Sequence, residues 1–388
     1  MSKLNYRLIS YLTGLLLIFN SGAILLTTIV SYIYNDGFFL NIFKSFIICF
    51  IIGGLIMFFS KNPSKIINRR DGYLIVIIGW LAMVFSGTLP YIFTETISNT
   101  PDLIFETMSG YTTTGSSVII DVESLPESII FWRSMTHWLG GMGIIVLAIA
   151  ILPLLGIGGM QLFSAEAPGS GISGDKIHPR ISNTAKRLWL IYIALTLIET
   201  VLLKVAGMNF FDAINHSMSN IATGGFSTKN ESLSFWNSMP QVQYIIVFFM
   251  ILAGTNFLLI YLSLIGKFKK LISNTEFIWY FGSISFFVLL TTFILNNNVD
   301  LNSTDFDHPQ VFGQLEASFR HALFQVVAVI TTTGFVTGDF AGWTPFLTML
   351  FFVLMFFGAS SGSTSGGIKI SRHLILIKNG FLEFKRSL

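Results

Sequence analysis

Three clusters of threonine and glycine carry the chemistry this chain could perform. They read Thr112-Thr113-Thr114-Gly115-Ser116, Ala222-Thr223-Gly224-Gly225-Phe226 and Thr331-Thr332-Thr333-Gly334-Phe335. Gly115 and Gly225 are 110 residues apart, and Gly225 and Gly334 are 109 apart. One such cluster reads as a turn; three at one period are an internal repeat. The peptide carbonyls of Thr-Thr-Thr-Gly can replace the hydration shell of an alkali cation, with threonine hydroxyls as additional oxygens. Glycine opens backbone angles closed to other residues, so that carbonyls can face a common axis. Oxygen ligands suit hard cations. The six histidines, at 137, 178, 216, 308, 321 and 373, show no paired spacing for a transition metal. The single cysteine, Cys49, lies in an apolar run and reads as a small buried hydrophobe.

Such loops need elements to hold them. Each cluster ends a helix-like stretch too short to cross a bilayer, beginning near Phe105, Phe211 and Phe319. A half-helix directs its C-terminal carbonyls, the negative end of its dipole, at whatever follows, and a cation is favoured there. Irregular backbone at membrane depth is tolerated only where protein buries it or where it lines water. Each unit therefore reads as span, half-helix, Thr/Gly loop, span.

The composition agrees. Hydrophobic residues make up 52% of the 388 and charged residues 11%, where a soluble domain carries roughly 25%. The mean hydropathy is +0.70. These values exclude a soluble enzyme, a nucleic-acid-binding domain and a disordered chain, and leave the bilayer as solvent. Eight apolar runs approach the length of ~20 residues that a span needs. They lie near Leu8–Tyr34, Phe38–Phe59, Gly72–Phe93, Ile129–Leu155, Leu188–Ala206, Val242–Ile265, Phe277–Leu295 and Pro345–Ser360. The last is short before a Gly/Ser run and could resume through Ile368–Ile377. The first exceeds the apolar region of a signal peptide and has no small-residue cleavage site, so it reads as a retained span.

Charge sets the orientation. The N-terminus and segments 60–71, 157–187, 266–275 and 368–388 hold 18 of the 23 basic residues. The alternate segments hold only Lys229 and Arg320, with 13 of the 20 acids. The positive-inside rule then places both termini in the cytoplasm.

Other motifs are weaker. Gly358-Ala-Ser-Ser-Gly362 matches a nucleophile elbow at Ser360, but that motif needs a strand–turn–helix and a downstream His/Asp pair. Gly169–Lys176 resembles a phosphate loop with Asp175 where lysine belongs, and reads as a polar loop. Glu199 and Lys204 could form a proton-coupling pair within the fifth span, although Lys204, near its end, can snorkel outward. Glu106 and Asp212, on the half-helices, are expected to set the field at the outer mouth. His216 and His321, also on half-helices, are expected to make polar contacts.

At the Thr/Gly clusters the chain resembles the Trk/Ktr/HKT potassium-transporter superfamily, and within it the bacterial Trk-type membrane subunit. Four further stretches carry the resemblance: Trp138-Leu-Gly-Gly-Met-Gly, Leu154-Leu-Gly-Ile-Gly-Gly-Met-Gln-Leu-Phe-Ser-Ala-Glu-Ala-Pro-Gly169, Ala222-Thr-Gly-Gly-Phe-Ser-Thr228 and Gly362-Ser-Thr-Ser-Gly-Gly-Ile-Lys369. The resemblance implies an all-α polytopic membrane protein, not an enzyme, in which four span–pore-helix–span repeats surround one pore behind two extra helices. It implies the two helices in 1–68, and repeats in 69–175, 176–272 and 273–388. It makes Thr112, Thr113, Thr114 and Gly115, Ala222, Thr223, Gly224 and Gly225, and Thr331, Thr332, Thr333 and Gly334 the filter that binds dehydrated K+. Glycine at 115 goes, in that family, with potassium over sodium.

The same resemblance makes Gly358, Ser360, Ser361, Gly362, Ser363, Thr364, Ser365, Gly366, Gly367 and Lys369 an intramembrane gate loop. Small residues that merely allow close helix packing are the alternative. It implies the bacterial cytoplasmic membrane, a homodimer, and a cytosolic TrkA-type regulatory subunit that binds the nucleotide, with no cofactor on this chain beyond K+ and no nucleic acid. At this period a fourth filter belongs near residue 444. The expectation is a member lacking its fourth repeat, with a non-conducting or split subunit, or a Na+-permeable or ion-coupled transporter, as alternatives.

Overall fold

The computed structural model describes residues 4–61, 69–155, 180–299, 301 and 309–387. The described residues are helical apart from loops and one short bridge. Among the described residues five helices are long and apolar enough to cross a membrane, and a bent pair would make a sixth. The chain divides into two compact units, residues 1–166 with 173–189, and residues 167–172 with 190–388.

In the first unit α1 (Tyr6–Tyr34) and α2 (Phe39–Phe59) form a hairpin. Glycine lets them approach: a Cβ on Gly14 would lie 2.8 Å from the Gly53 carbonyl oxygen. Backbones that close maximise dispersion contacts where lipid supplies no hydrophobic drive. Cys49 is buried here, its thiol 3.2 Å from the Leu17 carbonyl oxygen. Then come α3 (Arg69–Gly87), α4 (Leu89–Thr94), the half-helix α5 (Thr100–Tyr111) and α6 (Glu127–Leu155). Pro101 suits the first turn of α5 because its missing N–H has no helical partner there. The half-helix lies against α6 through glycines: a Cβ on Gly140 would fall 2.0 Å from the Tyr111 carbonyl oxygen, and one on Gly110 2.2 Å from the Thr136 hydroxyl. The Tyr111 hydroxyl donates to Asn20 Oδ1 at 2.6 Å, tying α5 to α1.

The helix α7 (Arg180–Val205) runs on into the second unit. There follow the half-helix α8 (Phe210–Ile221), a 3-10 turn at Ser232–Trp236, α9 (Pro240–Ala253), α10 (Phe257–Leu264), the short α11 (Lys269–Ile272), α12 (Thr275–Asn298), the half-helix α13 (Gln314–Ile330), α14 (Pro345–Leu354) and α15 (Ile370–Ser387). Apart from α10 and α11, their apolar faces share one buried core that includes Met250, Tyr280, Phe324 and Phe351.

One expected span changes shape, and the last is interrupted and resumes as its sequence suggests. Val242–Ile265 is not straight: α9 and α10 meet at 103° across Gly254-Thr255-Asn256. Asn256 caps α10 by accepting from Leu258 N at 2.8 Å. The Gly254 backbone fits where a Cβ would stand 2.4 Å from the Tyr280 hydroxyl. Pro345–Ser360 is helical only to Leu354, and the helix resumes at Ile370. The Leu154–Gly169 motif past residue 155, the loop 169–176, His178, His308, Asp300, Asp305, Asp307 and the expected repeat boundaries near 68 and 175 lie outside the described residues.

Candidate functional site

Each half-helix ends in the same way. In the first repeat Thr113 N donates to Gly110 O (3.0 Å) and Thr114 N to Ser109 O (2.9 Å). In the second, Thr223 N donates to Asn220 O (2.8 Å) and Gly224 N to Ser219 O (2.9 Å). In the third, Thr332 N donates to Val329 O (3.0 Å) and Thr333 N to Ala328 O (2.9 Å). These paired bonds define a Schellman termination, whose left-handed residue is usually glycine. Here it is threonine every time, at φ 52°, 54° and 57° for Thr113, Thr223 and Thr332. Two residues on, Gly115, Gly225 and Gly334 are left-handed as well, at 76°, 85° and 79°. A β-branched residue at positive φ is a true outlier that costs about 1–2 kcal/mol, and such strain gathers at functional sites. The three loops therefore share one backbone, and that backbone is held against its own preference.

Side chains distinguish them. Thr112 and Thr114 hydroxyls lie 2.8 Å apart, and so do those of Thr331 and Thr333. Thr112 and Thr331 each also donate to the carbonyl four residues back. Ala222 and Gly224 leave the second loop without this hydroxyl pair. The second and third loops pack on one another, since a Cβ on Gly225 would fall 2.1 Å from the Thr333 carbonyl oxygen. In the first loop Thr112 and Thr114 are exposed.

The Gly358–Gly367 segment sits beneath the second and third loops. It leaves α14 and returns to α15 through a bridge between Phe357 and Ile368, with Gly358 N donating to Ile368 O at 2.8 Å. The neck is narrow: a Cβ on Gly358 would lie 2.4 Å from the Gly366 carbonyl oxygen. At the tip the Thr364 hydroxyl donates to Ile221 O (3.1 Å) and Ala253 O (3.3 Å), the carbonyl ends of α8 and α9. Gly366 N donates to the Thr332 hydroxyl at 2.7 Å. At its near side Ser360 N bonds Gly254 O, Ser361 N bonds Glu276 Oε1, and Asn256 Nδ2 bonds Ser361 O. Gly362 and Gly367 take positive φ at the turns. Ser363 and Ser365 hydroxyls pair at 2.8 Å, and the Lys369 ammonium reaches Ser365. Ser360 is buried in this loop with no strand–turn–helix around it, so the elbow reading has no scaffold.

One expectation about charge changes, and the Glu199–Lys204 alternatives resolve toward an exposed Lys204. Glu106 and Asp212 do not face an open mouth; both are buried and engaged. Glu106 Oε1 meets Arg133 Nε at 3.0 Å inside the first unit, and Asp212 accepts from the Thr228 hydroxyl at 2.5 Å and from Asn209 Nδ2 at 2.5 Å. Glu199 is buried and accepts from Asn220 Nδ2 at 2.6 Å, while Lys204 is exposed; they form no ion pair. His216 and His321 make the polar contacts expected of them, to Ser227 and Thr337 at 3.0 Å each. Sequence reasoning missed Arg133. Its signal was a lone charge inside an apolar span, which implies a buried partner.

Comparison with known proteins agrees with the geometry. The family model described as TrkH, cation transport protein, matches residues 39–387. The Trk system potassium uptake protein TrkH of Escherichia coli K12 is 40% identical over 385 residues, covering 99% of this chain and 77% of that protein. Its counterpart in Vibrio parahaemolyticus is 38% identical with the same coverage. A crystal structure of the potassium transporter TrkH from Vibrio parahaemolyticus superposes with a TM-score of 0.84 at 34% identity, over 99% of this chain and 76% of that one.

Proposed function

The chain belongs to the TrkH family of cation transport proteins, and from that premise we propose that it is the ion-translocating subunit of a Trk-type potassium uptake system. The observation that carries the reading is the thrice-repeated termination, a left-handed threonine followed two residues later by a left-handed glycine at the carbonyl end of a half-helix. Carbonyls fixed by the bonds that over-determine a strained backbone cannot relax inward around a smaller ion at low cost, and together they substitute for the water that K+ sheds. Thr112–Gly115, Ala222–Gly225 and Thr331–Gly334 bind the ion in this reading. Gly358–Lys369 is the gate. Both termini face the cytoplasm across a bacterial cytoplasmic membrane, on the strength of the basic segments. A cytosolic nucleotide-binding regulator of the TrkA type and a second copy of the chain complete the assembly. Expression in a bacterium stripped of its own K+ uptake tests the reading: growth at low K+ supports it, and growth no better than with empty vector at equal membrane abundance refutes it.

The gate has its own expected result. Thr364→Val removes the hydroxyl whose single proton is shared between the ends of α8 and α9. At about 0.5–1.5 kcal/mol for that one shared bond, its loss shifts a closed–open balance roughly two- to tenfold toward open. Resting K+ efflux from loaded cells should rise accordingly. Unchanged efflux would remove Thr364 from the latch.

A further inference from the structure

Beyond the three loops lies a second set of contacts at matched register. Count each repeat from its left-handed glycine. In the first, Glu106 stands nine residues before Gly115 and Ser117 two after; the Ser117 hydroxyl lies 3.0 Å from both Glu106 carboxylate oxygens and accepts from Ile119 N at 3.1 Å. In the second, His216 stands nine before Gly225 and Ser227 two after. The Ser227 hydroxyl lies 3.0 Å from His216 Nε2 and accepts from Lys229 N at 3.0 Å. Because His216 Nδ1 must donate to the Asp212 carbonyl at 2.8 Å, Nε2 of a neutral ring accepts, and the serine proton points at it. The two serines make the same pair of bonds.

A second register recurs as well. Asp212 lies thirteen before Gly225 and accepts from Thr228, three after it, at 2.5 Å; His321 lies thirteen before Gly334, and its Nδ1 is 3.0 Å from the hydroxyl of Thr337, three after. In the third repeat the nine-before position is Gln325 and the two-after position is Val336, which offers no hydroxyl; there Gln325 Oε1 has no partner. The half-helix residues Glu106, Asp212, His216 and His321 are all buried.

We infer that Ser117, Ser227, Thr228 and Thr337 are positioning residues that pin the chain leaving each Thr/Gly loop to the half-helix entering it, and so fix the spacing of the carbonyls that discriminate K+ from Na+. The inference rests on the filter reading above. A loop anchored at its entry by the Schellman bonds and at its exit by a hydroxyl bonded to a buried half-helix side chain has both ends fixed to one rigid helix. Freed at the exit, it can narrow around a smaller cation.

The test is thermal unfolding of the purified full chain in detergent, in potassium and in sodium salts. The wild-type chain should be more stable in K+ than in Na+. Ser117→Ala, Ser227→Ala and Thr337→Val should each lose most of that K+ increment, a drop of about tenfold in K+-over-Na+ preference. Ser227→Thr and Thr337→Ser, which keep the hydroxyl, should retain it. A merely structural role would lower stability equally in both salts. Alanine and valine variants with an intact K+ increment, or hydroxyl-retaining variants that lose it equally, overturn the inference. A wild-type chain with no K+ increment overturns the filter reading itself, and this inference with it.

Discussion

Gly225→Ala should abolish K+ uptake. The new Cβ would fall 2.1 Å from the Thr333 carbonyl oxygen, a backbone atom that cannot rotate away, and the residue sits at φ +85°. The second and third loops would have to part. Gly334→Ala is the matched control, because it meets nothing within 4 Å and bears only the cost of φ +79°. That cost is about 1–2 kcal/mol, so its uptake should fall roughly tenfold, against more than about a hundredfold for Gly225→Ala. Rubidium tracer uptake at matched membrane abundance measures both. Equal losses would mean that contact between the loops contributes nothing.

Arg133→Met should unfold the first unit. Glu106 and Arg133 are buried at 0% and 2% exposure, and Glu106 also accepts from Val118 N at 2.9 Å. Removing one member of a buried pair typically costs about 3–5 kcal/mol because it strands the other charge. Pairing Arg133→Met with Glu106→Gln removes the stranded charge and should recover most of the loss. Thermal unfolding of the purified protein in detergent separates the two. A single variant that melts with the wild type, or a double variant no better than the single, would show that the pair carries no such energy.

What was legible in the sequence was short in range. The Thr/Gly loops recur at one period, and each span announces itself by a run of apolar residues. The half-helices were readable too, because their lengths fall short of a crossing. The break at Gly254-Thr255-Asn256 was not, since three small or polar residues barely lower the hydropathy of a 24-residue run. Only the partners reveal it: Asn256 caps α10 and holds Ser361, more than a hundred residues later. Glu106 misled for the same reason. Beside a Thr/Gly loop a carboxylate reads as a cation attractor, and nothing local says that Arg133, a helix away, already neutralises it. Ser117 and Ser227 look like ordinary turn serines until the buried acceptors opposite them are seen.

The hydroxyl bridges also dictate an order of assembly. Glu106 with Ser117 and His216 with Ser227 close over 11 residues, and Asp212 with Thr228 and His321 with Thr337 over 16. The entropy lost on closing a loop grows only with the logarithm of its length, yet every residue between the ends must already be present. Each repeat can thus set its own ion-facing backbone soon after its segment leaves the ribosome. The Gly225–Thr333 contact joins segments more than a hundred residues apart and must wait for the third repeat. Local closure comes first and docking between finished loops comes last, so a defect in a bridge is built in before the neighbouring repeat exists to correct it.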